Sequence, residues 1–466
     1  MLPVAPKLRP VLDPEFLPGA LWQRAYRALV AADLGARPFA VVLVRKDGSV
    51  FRHDSHVLAV GHPAAALTLT YAERLLKFLL WMKGGPRVLV AGADEIATAL
   101  GRIYSPKGAR AFDCEFMGVK IFGQEFSVEA VAFENLPASV ETSLPMGRHL
   151  DGCRIGFDLG GSDRKAAALI DGEVVFSEEI AWDPYFQKDP AYHIEGVHDS
   201  LRRAAAHLPR VDAIGGSAAG VYVNNEVRAA SLFRGVSEEA FETHIRRMFF
   251  TLQERWGGVP FEVVNDGEVT ALAGAMSMND NAVLGVSMGT SQAGGYVTPA
   301  GNITAWLNEL AFAPIDYRPD APRDEWSGDM GCGVQYFSQQ GVARLAKRAG
   351  FDFPATLALP EQLIEVQKAM QAGDARARAI YETIGVCFGY AIAHYADFYE
   401  VRNLLVLGRV TSGEGGEIIL ERAGAVLRAE FPELAETILL RTPDEKNKRH
   451  GQATAAASLP TLRPVR

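Results

Sequence analysis

Cysteine is scarce in this chain: four residues in 466, at Cys114, Cys153, Cys332 and Cys387, with no CxxC pair and no cysteine–histidine cluster. That scatter excludes a disulfide framework or a zinc ribbon and reads as isolated buried thiols. Long apolar runs are also missing. None approaches the roughly 18 residues of a membrane span, and the opening MLPVAPKLRPVLDPEFLPG carries prolines and charges where a signal peptide needs an apolar core. A cytoplasmic protein without a membrane partner is expected. Positive charge is in deficit, 47 Lys and Arg against 56 Asp and Glu for a net charge of −9, so there is no general attraction to nucleic acid, and none is expected as a partner.

What is present is a globular composition, 48% hydrophobic and 22% charged, in a chain too long for one ordinary core. Residues 1–150 read as an α/β domain of unknown role. Phe39 to Val44, the turn Lys46-Asp47-Gly48-Ser49 and Val50 to Arg52 predict a β-hairpin, with Arg45, Lys46 and His53 solvated. Tyr71 to Lys83, YAERLLKFLLWMK, has helical spacing and stops at Gly84-Gly85-Pro86. The strand Val88-Leu89-Val90 enters a helix that Asp94 caps. That turn lacks both the Lys-Ser/Thr of a P-loop and a GxGxxG spacing, so it is expected to serve packing rather than phosphate binding. No helix shows a basic recognition face, which argues against DNA binding. Asn135 to Arg148, NLPASVETSLPMGR, is the expected linker.

Residues 151–280 and 281–466 are read as two further units on a shared plan. CRIGFDLGG, AAALIDG and EVVFSEEI predict three antiparallel strands, with Asp171-Gly172 at the second turn. AVLGVSMGT, SQAGG and YVTPAGNITAW repeat that pattern after Asn281. Between them lie a helix around His198 to His207, the strand-like VDAIGGSAAG, a helical run from Glu238 to Trp256, and VPFEVVNDGEVTALAGAM. A long irregular segment, a helix from about Ala375 to Tyr399 and the strand NLLVLG follow.

The chemistry-bearing residues sit at the turns. Glycine lets several backbone N–H groups approach one phosphate closely. Gly160, Gly161 and Ser162 form one such cradle, and Gly289, Thr290, Ser291, Gly294 and Gly295 the other. Asp158 ends an apolar strand, where an unpaired carboxylate is costly unless magnesium, directly or through water, relieves it; a turn-capping Asp is the alternative. A further strand delivers Asn265 and Asp266 to the start of a helix, where a carboxylate can take the proton of an attacking hydroxyl, or where the pair merely caps the helix.

In order and spacing these motifs resemble the ROK (repressor/ORF/kinase) family of sugar kinases and sugar-responsive repressors, within the actin-like ATPase superfamily. The resemblance covers about residues 153 to 460. It runs through Asp158-Leu159-Gly160-Gly161-Ser162 with Lys165 to Leu169, through Asn265-Asp266, through Gly285 to Ser291 with Gly294-Gly295, and through Leu404 to Gly408 with Thr411-Ser412. It implies an α/β, actin-like ATPase (ribonuclease H-like) fold of two lobes with duplicated βββαβαβα halves, plus the N-terminal α/β domain. It also implies ATP and Mg2+ as cofactors and a sugar or sugar derivative as substrate. Asp266 is then the general base, and Asn265, Glu309 and Ser231 face the substrate. Asp158, Gly160, Gly161, Ser162, Lys165, the second glycine turn, Gly408 and Arg409 serve the nucleotide, and the resemblance leaves room for a homodimer.

The departures fall on the sugar side. Asn308 to Phe312 keeps the Glu of a GExxGH-like segment but has Phe312 in place of its His. Glu325 to Val334 keeps one cysteine of three, Cys332, and ends in Val334 instead of Glu, so zinc is expected to be absent. Ser231 replaces the Asn of a PNL-like segment, and Arg409 replaces a glycine of the adenosine motif. Fewer polar partners remain for sugar hydroxyls. The reading is an ATP-dependent carbohydrate kinase, with a non-catalytic sugar-sensing protein as the alternative.

Overall fold

The computed structural model describes residues 2, 4–141, 146–443 and 451–462, and these form three larger sheets and a two-stranded one. The first holds β1 (Arg37–Val44), β2 (Val50–Val57), β3 (Arg87–Ala91) and β4 (Ser127–Ala130) in the order β2-β1-β3-β4. The expected hairpin is there, with Val44 opposite Val50. Its polar residues are not all solvated, however. Arg45 is buried, and its guanidinium bonds the carbonyls of Lys83, Gly84 and Ala305. It thereby satisfies the end of the Leu67–Met82 helix, whose last carbonyls have no partner within the helix. Asp94 opens the next helix from inside it, and the N-cap position is Ala93.

The second sheet runs β11-β8-β5-β6-β7. Its strands are β5 (Cys153–Leu159), β6 (Asp163–Ile170), β7 (Glu173–Ala181), β8 (Ala213–Ala218) and β11 (Phe261–Asn265), with β9 (Val221–Val223) and β10 (Glu226–Ala229) as a separate hairpin. Asp171 and Gly172 adopt φ of 48° and 86°, so the predicted β6–β7 turn is of the positive-φ type that matches strand twist. The third sheet, β13-β12-β14-β15, uses β12 (Val283–Met288), β13 (Gln292–Val297), β14 (Asn403–Leu407) and β15 (Leu439–Arg441). Here the duplication is incomplete. The third strand expected from YVTPAGNITAW does not form, and Ile303 makes only an isolated bridge to Met146. In the linker stretch, residues 142–145 lie outside the described residues, while Val140 bridges to Val50.

Both ends of the chain pack on units other than the ones their sequence positions suggest. Phe16 and Ala20 join the core of the third-sheet lobe, and buried Asp13 pairs there with Arg318, Arg344 and Arg348. At the other end, the Gly451–Ala457 helix packs on β5 and β8 of the second sheet. Gly156 and Gly215 make that possible, because a Cβ at either position would overlap the carbonyl oxygens of Ala453 and Ala456 respectively. Arg154 seals the contact from below by donating to the carbonyls of Ala457 and Pro460 at 3.3 and 2.8 Å.

No described helix is long and apolar enough to cross a membrane. All four cysteines are free and buried. A thiol reagent is therefore expected to label none of the four in the native protein and all four after denaturation, as counted by intact mass.

Candidate active site

Asp158 lies one residue before the end of β5 and is 6% exposed. The parallel register sets it opposite Ser217 of β8, whose hydroxyl donates to Asp158 Oδ1 at 2.6 Å. Oδ2 makes no hydrogen bond among the described residues. Burial raises this carboxyl, and the Ser217 bond and the Lys165 charge only partly offset the rise. A buried carboxylate with one vacant oxygen fits an oxygen-seeking dication.

The hairpin tip beyond it is closed by the Gly160 N–H on the Asp163 carbonyl, at 2.9 Å. The Ser162 hydroxyl is taken by Asp163 at 2.7 Å, and Lys165 pairs with the same carboxylate at 3.2 Å. The second tip is closed by the Gly289 N–H on the Ser291 carbonyl, at 2.9 Å. The amides of Gly161, Ser162 and Thr290 take no part in these closures. One glycine has a second reason to be there: a Cβ on Gly161 would overlap the Tyr185 hydroxyl.

Gly294 and Gly295 do not belong to the second cradle. They lie inside β13, where a Cβ would overlap the carbonyls of Asn308 and Gly267 respectively. Their smallness lets β13 press against the Asp266–Met278 helix and the 308–310 segment.

Asn265 ends β11 and caps that helix, its side chain accepting from the Gly267 N–H at 2.7 Å. Its amide nitrogen donates to the Gly220 carbonyl at 2.7 Å. Both ends of the side chain therefore have backbone partners, so Asn265 orients its neighbour. Asp266 follows as the first helical residue, half-buried, with its carboxyl pushed up to about 6 by burial and then by Asp158. Glu309 is next to it electrostatically: burial, then Asp266, push its carboxyl up to about 7, and its side chain has no hydrogen-bond partner among the described residues. Asp266 thus feels the Asp158 charge on one side, and Glu309 feels the Asp266 charge. Ser231 stays apart, exposed at the start of a 3-10 turn, with no hydrogen bond to any of them.

Several participants were not apparent from the sequence. Glu268 sits three residues after Asn265, where a capping box would place it, yet it turns inward. Its oxygens accept from the Asn308 side chain and from the Tyr296 N–H, the latter at 3.2 Å, and burial pushes it up to about 8. Tyr399 donates to Asn308 Oδ1 at 2.7 Å. Tyr222, half-buried, has its hydroxyl raised first by burial and then by the Asp266 carboxylate.

Two cavities adjoin these residues. One of 290 Å3 is lined by Asn265, Gly220, Tyr222 and Trp306 together with Arg45 and Asp47 of the N-terminal sheet. The other, of 970 Å3, is lined by Gly408, Arg409 and Ser412, by Thr270 and Gly274 across from them, and by Gly451-Gln452. Arg409 is exposed at its edge and Gly408 has φ of 106°.

On the sugar-motif side, Phe312 packs against Trp81 of the N-terminal unit, with ring centroids 4.2 Å apart. Cys332 lies 3.7 Å from Asp329, and its buried thiol is pushed far up. No group of three or more His, Cys, Asp or Glu suited to a metal occurs among the described residues.

The fold is the one seen in solved structures of ROK proteins. Among solved structures, the chain is similar to a ROK hexokinase from Thermus thermophilus, with 20% identity and a TM-score of 0.52 over 66% of this chain and 96% of that one. It is equally similar to a ROK family transcriptional regulator, a homologue of the E. coli MLC protein, with 19% identity and a TM-score of 0.54 over 66% of this chain and 78% of that one. No protein-family model and no curated protein sequence matches the chain.

Proposed function

We propose that the protein is a carbohydrate kinase that transfers the terminal phosphoryl group of ATP to a hydroxyl of a sugar or sugar derivative. The observation that carries this reading is a set of carboxyls raised by burial. Asp158 lies near the end of β5 before a glycine hairpin tip, Asp266 lies just after β11 and is also raised by Asp158, and Glu309 precedes a 3-10 turn and is also raised by Asp266. Asp266 accepts the acceptor hydroxyl's proton as the oxygen–phosphorus bond forms and the bond to ADP breaks. Glu309 orients the acceptor. The amides of Gly161, Ser162 and Thr290 hold phosphate oxygens, with Lys165 close to Asp158. A magnesium ion held at Asp158, directly or through water, would neutralise phosphate charge. The 970 Å3 cavity beside Gly408 and Arg409 suits the adenosine end.

ATP consumption across free sugars, amino sugars and polyols tests this, and at least one acceptor should raise turnover well above the rate with water alone. A second reading, a sugar-sensing protein without catalysis, has one specific support: both ends of the Asn265 side chain are already bonded to backbone, which leaves one N–H and one lone pair for a sugar. Sugar binding by calorimetry with no turnover on any acceptor would select it.

A further inference from the structure

The Leu67–Met82 helix has thirteen of its sixteen residues buried, charged ones included. Buried charges persist only when paired, and these are. Lys77 Nζ lies 3.0 and 2.9 Å from the Asp113 oxygens and 3.1 Å from Asp329 Oδ2. Arg74 reaches Asp329 Oδ2 at 3.3 Å and also pairs with Glu73, and Arg110 joins Glu73 to Asp329. Three cations thus meet three carboxylates, and the charges balance.

What this cluster touches matters more than its charge count. Asp329 lies two residues before the stretch that pairs back on the segment after Glu309, where the Ile315 N–H donates to the Gly331 carbonyl at 2.8 Å and the Gly333 N–H to the Ala313 carbonyl at 3.0 Å. Trp81 follows Lys77 by one helical turn, so both lie on one face. Its indole N–H donates to Asp113 at 2.7 Å, its ring packs on Phe312, and its carbonyl accepts from the Glu309 N–H at 2.9 Å. The Met82 carbonyl takes the Asn308 N–H at 3.0 Å. Both sides of the Glu309 turn are therefore tied to the same buried ion cluster.

We propose that the N-terminal unit completes the acceptor side of the site: Lys77, Asp113 and Asp329 are positioning residues that, through Trp81, hold Glu309 where it meets the acceptor. The role of Glu309 rests on the kinase reading, whereas the hold on its turn does not. Asp329→Asn keeps the side-chain shape and weakens the pairing. We expect it to speed hydrogen exchange at the Asn308 and Glu309 amides by about ten-fold or more, with β12 and β14 amides unchanged. In the turnover assay, with the best acceptor of the sugar screen, KM for that acceptor should rise by about ten-fold while KM for ATP stays within about two-fold.

Should Asp329→Asn not fold, Trp81→Phe is expected to give the same signature. It keeps a ring against Phe312 and drops the indole N–H to Asp113. Unchanged exchange at Asn308 and Glu309 in a folded variant would overturn the proposal, as would KM for ATP rising in step with that for the acceptor. A wild-type chain that turns over no acceptor would defeat the kinase reading alone, and the exchange result would still decide the positioning.

Discussion

Asp266→Asn is expected to cut sugar-dependent turnover by about 10²- to 10⁴-fold and, at the same time, to raise the thermal midpoint of the unliganded protein at pH 8. The two effects share one cause. The Asp266 carboxyl rises from 3.8 to about 6, through burial first and the Asp158 charge second. Its folded-state pKa lies above its unfolded one, so the folded chain holds the proton more tightly. The anion is then destabilising from about pH 4 upward, with the full cost reached above about pH 6. A shift of this size corresponds to about 3 kcal/mol as an upper figure, and the neutral amide removes it. At pH 4, where the wild-type carboxyl is largely protonated, the variant's advantage should vanish. Glu309 and Glu268, pushed up to about 7 and about 8, act in the same sense, so the unliganded wild type should lose stability as pH climbs from about 4 to 8. The rate of the wild type should instead climb with pH through an apparent pKa near 6, since the base works deprotonated. Turnover that survives the substitution undiminished would remove Asp266 from the chemistry. A lower midpoint at pH 8 would remove the strain argument.

Gly215→Ala and Gly156→Ala should be the most damaging single methyl additions outside the cleft. Each new Cβ would overlap a carbonyl oxygen of the Gly451–Ala457 helix, and backbone cannot rotate aside as a side chain can. Overpacking of this kind costs about 1–3 kcal/mol where the neighbours give way, and more where they do not. Here the yielding element is the whole helix, with buried Ala455, Ala456, Ala457 and Leu459. The expected result is a large fall in thermal midpoint together with proteolytic clipping within residues 451–462. Because Gln452 also bonds Thr270 at 2.7 Å and lines the 970 Å3 cavity, ATP affinity should fall as well. Midpoints and clipping like those of the wild type in both variants would show that the helix does not need this groove.

The sequence made the local devices plain. Asp171-Gly172 marked a turn between strands and Gly84-Gly85-Pro86 a helix stop, and the structure has both. The helix cap, offered for Asn265-Asp266 only as the alternative to a substrate-facing pair, is what the Asn265 side chain forms. These signals are carried by residues a few places apart. The misses share the opposite property. Gly294 and Gly295 look like turn glycines, and they are glycines because another backbone comes close. Arg45 looks like a solvated hairpin residue until the 305 segment arrives to bury it. Glu268 has the spacing of a capping box, and its partner Asn308 lies forty residues on. Nothing local marks Lys77 as the centre of an ion cluster, because both of its partners come from distant segments.

The return of the last helix to the second sheet also has a temporal side. Ribosomes add about 5–20 residues per second, so roughly 10–40 s separate the completion of β11 from the appearance of residue 451. During that interval the groove over Gly156 and Gly215 is open, with Ala167 and Leu169 on the strand beside it. Until that helix arrives, Ala167 and Leu169 lack the Ala453 and Ala457 that cover them in the finished protein.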